Sequence, residues 1–257
     1  PIRDYSVKEI YDFANNVPAD EIRFLNEAIE MNMKLSNAGM SEDLGSNFGK
    51  AIAKLPGEEV YIKAKSLAAA ASDARMAGKN LPAMSCAKSG NVGIAASLPL
   101  IPVAESLGCS KEKLLRAVCV SYLMTIYLKS HIGRLSAMCA CAIAASIGVG
   151  TGCCLIMNMG IDDVGKVIHN IIGSIGGTVC DGAKFGCALK LSSAAGIAIE
   201  SSRLVKNGCS IANGDGLVCY DADETIAMLG RLAAPGMVSA NEYMANEIIK
   251  RENAISK

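Results

Sequence analysis

The chain has 257 residues, 51% of them hydrophobic, and its 25 basic side chains balance 25 acidic ones. That length and apolar content bury a sizeable core, and zero net charge with no basic block argues against nucleic acid or an anionic membrane surface as a partner. Eleven irregularly spaced cysteines, including the adjacent Cys153-Cys154, suit a reducing cytoplasm better than a disulfide framework.

The elements read in chain order are helical. Ser6-Val-Lys-Glu9 has the form of a capping box opening a helix from about Val7 to Ala14. Ile22, Leu25, Ile29 and Met33 recur at helical spacing after Pro18, and Asn37-Ala-Gly39 is the expected stop. A further helix is expected from Glu58 to about Ala77, with Gly78 at its end. Pro82 to Gly93 mixes Pro, Gly, Ser and Asn and reads as a loop rich in backbone amides.

Ser110 caps a helix that Gly133 breaks, and Lys129 to Arg134 forms a polar junction. No charge follows until Asp162, a length that could span a bilayer. The stretch is rich in Ala, Gly, Ser and Cys and has no aromatic belt, so a helix buried on all sides is the better reading. Asp162 or Asp163 then caps a helix ended by Gly176-Gly177, and an Ala-rich helix runs to Asn207 with Gly208 as its stop. Asn213-Gly-Asp-Gly216 is a turn that could join two short strands, and a last pair of helices follows, with Ser239-Ala-Asn-Glu242 as a second capping box. The expected architecture is an all-α, or nearly all-α, multi-helix bundle with buried Ala/Gly/Ser-rich central helices. It forms one domain over residues 1–257, and because the chain opens on Pro1 rather than Met, an amino-terminal portion is expected to be missing.

Thiols at Cys139, Cys141, Cys180 and Cys187 could converge on one metal or cluster, although free cysteine is also an ordinary small core residue. There is no Cys-x-x-Cys pair, which removes zinc-finger and thioredoxin-type readings. Ser89-Gly90-Asn91-Val-Gly93 offers amides to a small carboxylate but lacks the order of a nucleotide loop. His169 lies on an apolar helical face and reads as structural, whereas His131 in the polar junction is a candidate acid or base. Lys129, Arg134, Asp181 and Lys184 are charges among apolar neighbours, either functional groups with shifted pKa values or ion pairs.

Four stretches together carry a family resemblance: Ala70-Ala-Ser-Asp-Ala-Arg-Met76, Ser89-Gly-Asn-Val-Gly93, Lys129 to Cys139 with Gly-Arg-Leu-Ser inside, and Val179-Cys-Asp-Gly-Ala-Lys184. In that order the chain resembles the iron–sulfur amino-acid lyases that include L-cysteine desulfidase and the alpha chain of bacterial L-serine dehydratase, and within them the carboxy-terminal catalytic half. The resemblance implies an all-helical lyase domain holding a 4Fe-4S cluster on cysteines, without pyridoxal phosphate. Cys139 and Cys180 match the ligand positions, with Cys141 and Cys187 as competitors. It also implies α,β-elimination, with L-cysteine as the favoured substrate and L-serine as the alternative. Lys129, His131 or Lys184 would be the catalytic base, and Ser89, Gly90, Asn91, Arg134, Ser136 and Asp181 would bind substrate.

The partners expected are the amino-acid substrate and either further copies of the chain or an amino-terminal or beta portion. A cluster-free amino-acid-binding or assembly subunit is the rival reading. Cys86-Ala-Lys88 departs from the family, where a more Gly/Ser-rich approach would stand, and bears on substrate choice.

Overall fold

The computed structural model describes residues 1–133 and 136–255. The helices are α1 (Val7–Asn16), α2 (Leu25–Ser41), α3 (Phe48–Ile52), α4 (Glu59–Met76), α5 (Gly90–Ser97) and α6 (Leu100–Ser106). They continue as α7 (Lys111–Ile132), α8 (Ile143–Ile156), α9 (Ile161–Ile175), α10 (Cys187–Lys206), α11 (Ala222–Arg231) and α12 (Val238–Ile255). Among the described residues there is no strand, only two isolated bridges, so the fold is all-α.

The helix signals in the sequence act as physical chemistry requires. Ser6 Oγ accepts from the Glu9 amide while the Glu9 carboxylate accepts from Ser6 N–H at 2.8 Å, a complete capping box. Ser110 caps α7, and Gly78, Gly133 and Gly208 take positive φ where their helices end.

Helix α8 is buried along its whole length, which explains a run without charge. It packs against α5, α6, α7, α9 and α10, while α4 lies against α2 and α10. No helix among the described residues is long and apolar enough to cross a membrane. Small residues permit this burial by letting backbones approach. At Gly148 of α8 an added Cβ would stand 2.3 Å from Thr125 Oγ1 and 2.4 Å from the Ser121 carbonyl of α7.

Several local expectations are corrected. Helix α2 runs on to Ser41, and Gly39 is a contact point rather than a stop, since a Cβ there would lie 2.0 Å from the Ala70 carbonyl oxygen of α4. Tertiary contact, not local propensity, selects glycine there. Gly160 caps α9 while Asp162 and Asp163 occupy its first turn, where negative charge favours the helix dipole. Asn213 to Gly216 forms turns without strands, with Gly214 N–H donating to the Val218 carbonyl at 3.0 Å. Helix α12 begins at Val238, so Ser239 sits inside its first turn instead of capping it.

His169 is buried, 3% exposed. Burial holds its pKa below the ordinary 6.5. Above that value folded and unfolded states are both neutral and no linkage arises. As pH falls below it the unfolded chain takes up a proton that the folded chain resists, so stability declines, by up to about 1.4 kcal/mol per pH unit per group. Urea midpoints should therefore fall between pH 6.5 and 5, and His169→Phe should flatten that decline.

Candidate active site

Two chain segments distant in sequence meet in the isolated bridge Met138↔Val179. Cys139 N–H donates to the Thr178 carbonyl at 2.9 Å and Cys180 N–H to the Ala137 carbonyl at 2.7 Å. Side chains alternate along extended backbone, so Cys139 and Cys180 fall on the same face of this pairing. The turn entering α8 adds Cys141, and Cys187 opens α10, its sulfur receiving the Lys184 amide at 3.4 Å. All four line one cavity of about 460 Å³.

The thiols interact in sequence. Cys180 donates to Cys139, which donates to Cys141. Donating to Cys139 is the main cause raising the Cys180 pKa, and donating to Cys141 does the same for Cys139. Cys141, accepting from Cys139, is held below the ordinary thiol value and is further favoured as thiolate by the positive charge of Lys129.

The facing wall is the amino terminus of α5. Residues 82–93 were expected to form a loop, but only the first part is one. Ser89 caps α5, its Oγ accepting from the Val92 amide at 3.4 Å, and Gly90 to Ser97 are helical and buried. Ser89, Asn91 and Val92 line the cavity, so the amino-terminal turn of α5 borders it. Gly93 allows this seating, because a Cβ there would stand 2.0 Å from the Met84 carbonyl oxygen. Asn32 fixes both parts, donating to Ser97 Oγ and accepting from the Met84 amide, each at 3.0 Å.

Just before α5 the chain makes a two-residue hairpin, with Cys86 and Ser89 exchanging backbone hydrogen bonds of 3.0 and 3.1 Å. Both central residues, Ala87 (φ +47°) and Lys88 (φ +66°), are left-handed although neither is glycine. Such geometry costs about 1–2 kcal/mol per L-residue, and glycine would relieve it at an entropy cost of about 0.5–1 kcal/mol. Ala87→Gly should accordingly raise stability by up to about 1 kcal/mol, read as a higher urea midpoint at unchanged slope.

Of the site residues expected from the amino-acid sequence, Ser89, Asn91, Lys129, Ser136, Cys139, Cys141, Cys180 and Cys187 line the cavity. Gly90 is the first residue of α5, beneath the Arg75 side chain. Asp181 and Lys184 stand outside the lining, paired with each other, and Asp181 also binds Lys190, which does line it. Asp181 and Lys184 thus form an ion pair beside the cavity. His131 is not brought to this cavity. Its ring stacks edge-on to Tyr127 with centroids 4.9 Å apart, under Gly230, and Nε2 is buried without a partner. Arg134 lies outside the described residues.

Arg75 and Lys190 also line the cavity, and neither is among the residues expected from the amino-acid sequence. A signal for Arg75 exists there: one guanidinium closing an Ala-rich helix in Ala70 to Met76. The Asp73 carboxylate of the same stretch is wholly buried and accepts from the Gly49 amide at 2.9 Å, a structural duty to α3.

The fold and this cavity define an all-helical protein with a thiol-rich wall opposite a helix amino terminus. The comparisons with known proteins give the same class a family. A model of the serine dehydratase alpha chain matches residues 2–245, and the chain belongs to that family. Among its relatives is the UPF0597 protein of Caldanaerobacter subterraneus subsp. tengcongensis, 36% identical over 251 residues, which cover 98% of this chain and 59% of that one. The UPF0597 proteins of Clostridium tetani (36% over 252 residues, 98% and 59%) and Oleidesulfovibrio alaskensis (38% over 248 residues, 95% and 58%) are similar. The chain thus spans about three-fifths of the length of these relatives. No solved structure matches it.

The cysteine set can be weighed against the cofactor that the family implies. Among the described residues no group of three or more His, Cys, Asp or Glu is arranged to hold a metal ion. A single ion needs all its ligand atoms within about 2–2.5 Å of one point. A cluster has several irons, each able to take a separate thiolate, so four thiols distributed around one cavity fit it in donor chemistry.

Proposed function

We propose that this chain carries the catalytic cavity of an α,β-eliminating lyase acting on a small L-amino acid, with L-cysteine as the favoured substrate and L-serine as the alternative. The observation supporting this most is the joining of four cysteines, the Lys129 side chain and a helix amino terminus around a single cavity.

Cys139 and Cys180, with Cys141 and Cys187 beside them, would hold a 4Fe-4S cluster. Bound there, it would supply Lewis acidity toward the substrate carboxylate and the β-thiol or β-hydroxyl. The chain's own groups do the rest. Free amides at the start of α5, with Ser89 and the Arg75–Asn91 pair (Nη1 to Oδ1, 3.2 Å), receive the carboxylate and orient Cα.

Of the three candidate bases, Lys129 is the one that lines the cavity, and its side-chain nitrogen would take the Cα proton. The β-substituent leaves with its bonding electrons, and the aminoacrylate hydrolyses in water to 2-oxo acid and ammonia. Pyridoxal phosphate has no part in this scheme.

The test is anaerobic purification with iron and acid-labile sulfide analysis, followed by assays of pyruvate and sulfide from L-cysteine and of pyruvate from L-serine. About four irons per chain with turnover supports the reading, and the faster reaction assigns the substrate. An iron-free chain that binds amino acids without turnover would instead make it a binding subunit.

A further inference from the structure

The charge distribution of the cysteine cavity bears on which amino acid it takes. Its described lining contains Arg75, Lys88, Lys129 and Lys190 and no aspartate or glutamate. Two of these cations serve the thiol wall. Lys190 is bound to Asp181 and to the Val179 carbonyl, beside the segment that carries Cys180, and Lys129 lines the cavity with Cys139 and Cys141. Arg75 and Lys88 stand at the α5 end of the cavity. The Arg75 guanidinium lies against Gly90, where a Cβ would come within 2.5 Å of Nε, and among the described residues it bonds neutral groups, Asn91 and Met76. Lys88 is exposed on the left-handed hairpin, with no acidic partner among the described residues.

One carboxylate is satisfied by the α5 amides and Arg75. A neutral amino acid leaves the exposed Lys88 ammonium to solvent, and among the described lining residues no carboxylate receives the substrate's ammonium. A second negative charge beyond Cβ answers Lys88 directly, as a charge-assisted hydrogen bond.

We propose that Arg75 and Lys88 extend the range of this cavity beyond L-cysteine and L-serine to amino acids whose β-substituent is anionic, the class of β-phosphoryl- or β-sulfo-substituted alanines, which it binds more tightly than L-serine. The turnover part of this inference rests on the lyase reading above. For O-phospho-L-serine the step balances as follows. The Cα proton passes to Lys129, the Cβ–O bond breaks with its electron pair leaving on phosphate, and Cα=Cβ forms. Water then converts aminoacrylate to pyruvate and ammonia, without an external oxidant or reductant.

Calorimetric titration of the full chain with O-phospho-L-serine, L-serine and L-cysteine, alongside pyruvate assays of the iron-loaded protein, tests it. The expected result is binding of O-phospho-L-serine tighter than L-serine by about twofold to fivefold, the worth of one exposed ion pair. That preference should vanish in Lys88→Met and reverse in Lys88→Glu, with the change in KM rather than kcat. Equal binding of the phosphorylated and plain amino acids, or a preference unchanged in Lys88→Met, overturns the proposal. The two readings fail separately. Selective binding that depends on Lys88 but without pyruvate keeps the anionic subsite and ends the lyase reading. Pyruvate from L-cysteine or L-serine without phosphoryl preference does the opposite.

Discussion

Replacing Cys139 and Cys180 together by serine is expected to remove bound iron and acid-labile sulfide and to lower turnover by about 10³-fold or more. The Lewis-acid contribution at stake is several kcal/mol, and each 1.36 kcal/mol is about tenfold in rate. The fold should survive, because serine is close to cysteine in size and the two segments are held by backbone bonds from Cys139 to Thr178 and from Cys180 to Ala137. Far-ultraviolet circular dichroism and the urea midpoint of the iron-free protein would verify that. Cys141→Ser and Cys187→Ser, made singly, separate ligands from neighbours, since loss of a ligand lowers iron content and loss of a neighbour does not. Undiminished activity or ligand binding in the double variant would favour the cluster-free binding subunit.

Gly148→Val is expected to destabilise the chain by about 3 kcal/mol, toward the upper range for overpacking a core. The reason is geometric: the Cβ position is 2.3 Å from Thr125 Oγ1, 2.4 Å from the Ser121 carbonyl and 2.9 Å from Ser121 Oγ. Thr125 cannot swing away freely, because its hydroxyl donates to the Ser121 carbonyl at 2.7 Å and also lies 3.3 Å from the Ala144 carbonyl of α8. Helices α7 and α8 would have to separate. Gly148→Ala gains about 1 kcal/mol of helix propensity but meets the same atoms, so it should still destabilise, by less than valine. A stabilised Gly148→Ala in urea titration would show that α7 yields at this crossing.

Residue order alone determined much of this protein. The capping box at Ser6, the Ser110 cap and the positive-φ glycines at 78, 133 and 208 act over one turn of chain, so they are readable without knowing what packs nearby. The uncharged run before Asp162 indicated a helix buried on every side, and α8 is one. The four cysteines were legible by chemical type, as was the anion-accepting character of Ser89 to Asn91.

What the tertiary structure decided is which of these groups meet. Gly39 resembles a helix stop until α4 passes 2.0 Å from its missing Cβ, a contact between residues far apart in the chain. The pairing of segments 137–139 and 178–180 is a bridge too short to leave a period in the sequence, yet it sets Cys139 beside Cys180. Lys129 and His131 are two residues apart on α7. Two residues turn a helix by about 200°, so they face nearly opposite ways, one into the cavity and the other onto Tyr127. Arg75, at the end of a helix whose other residues signal only close packing, reaches the site because α4 and α5 converge there. Caps and turns are local energies written in adjacent residues, whereas a cavity is a meeting of distant surfaces that only the packed chain specifies.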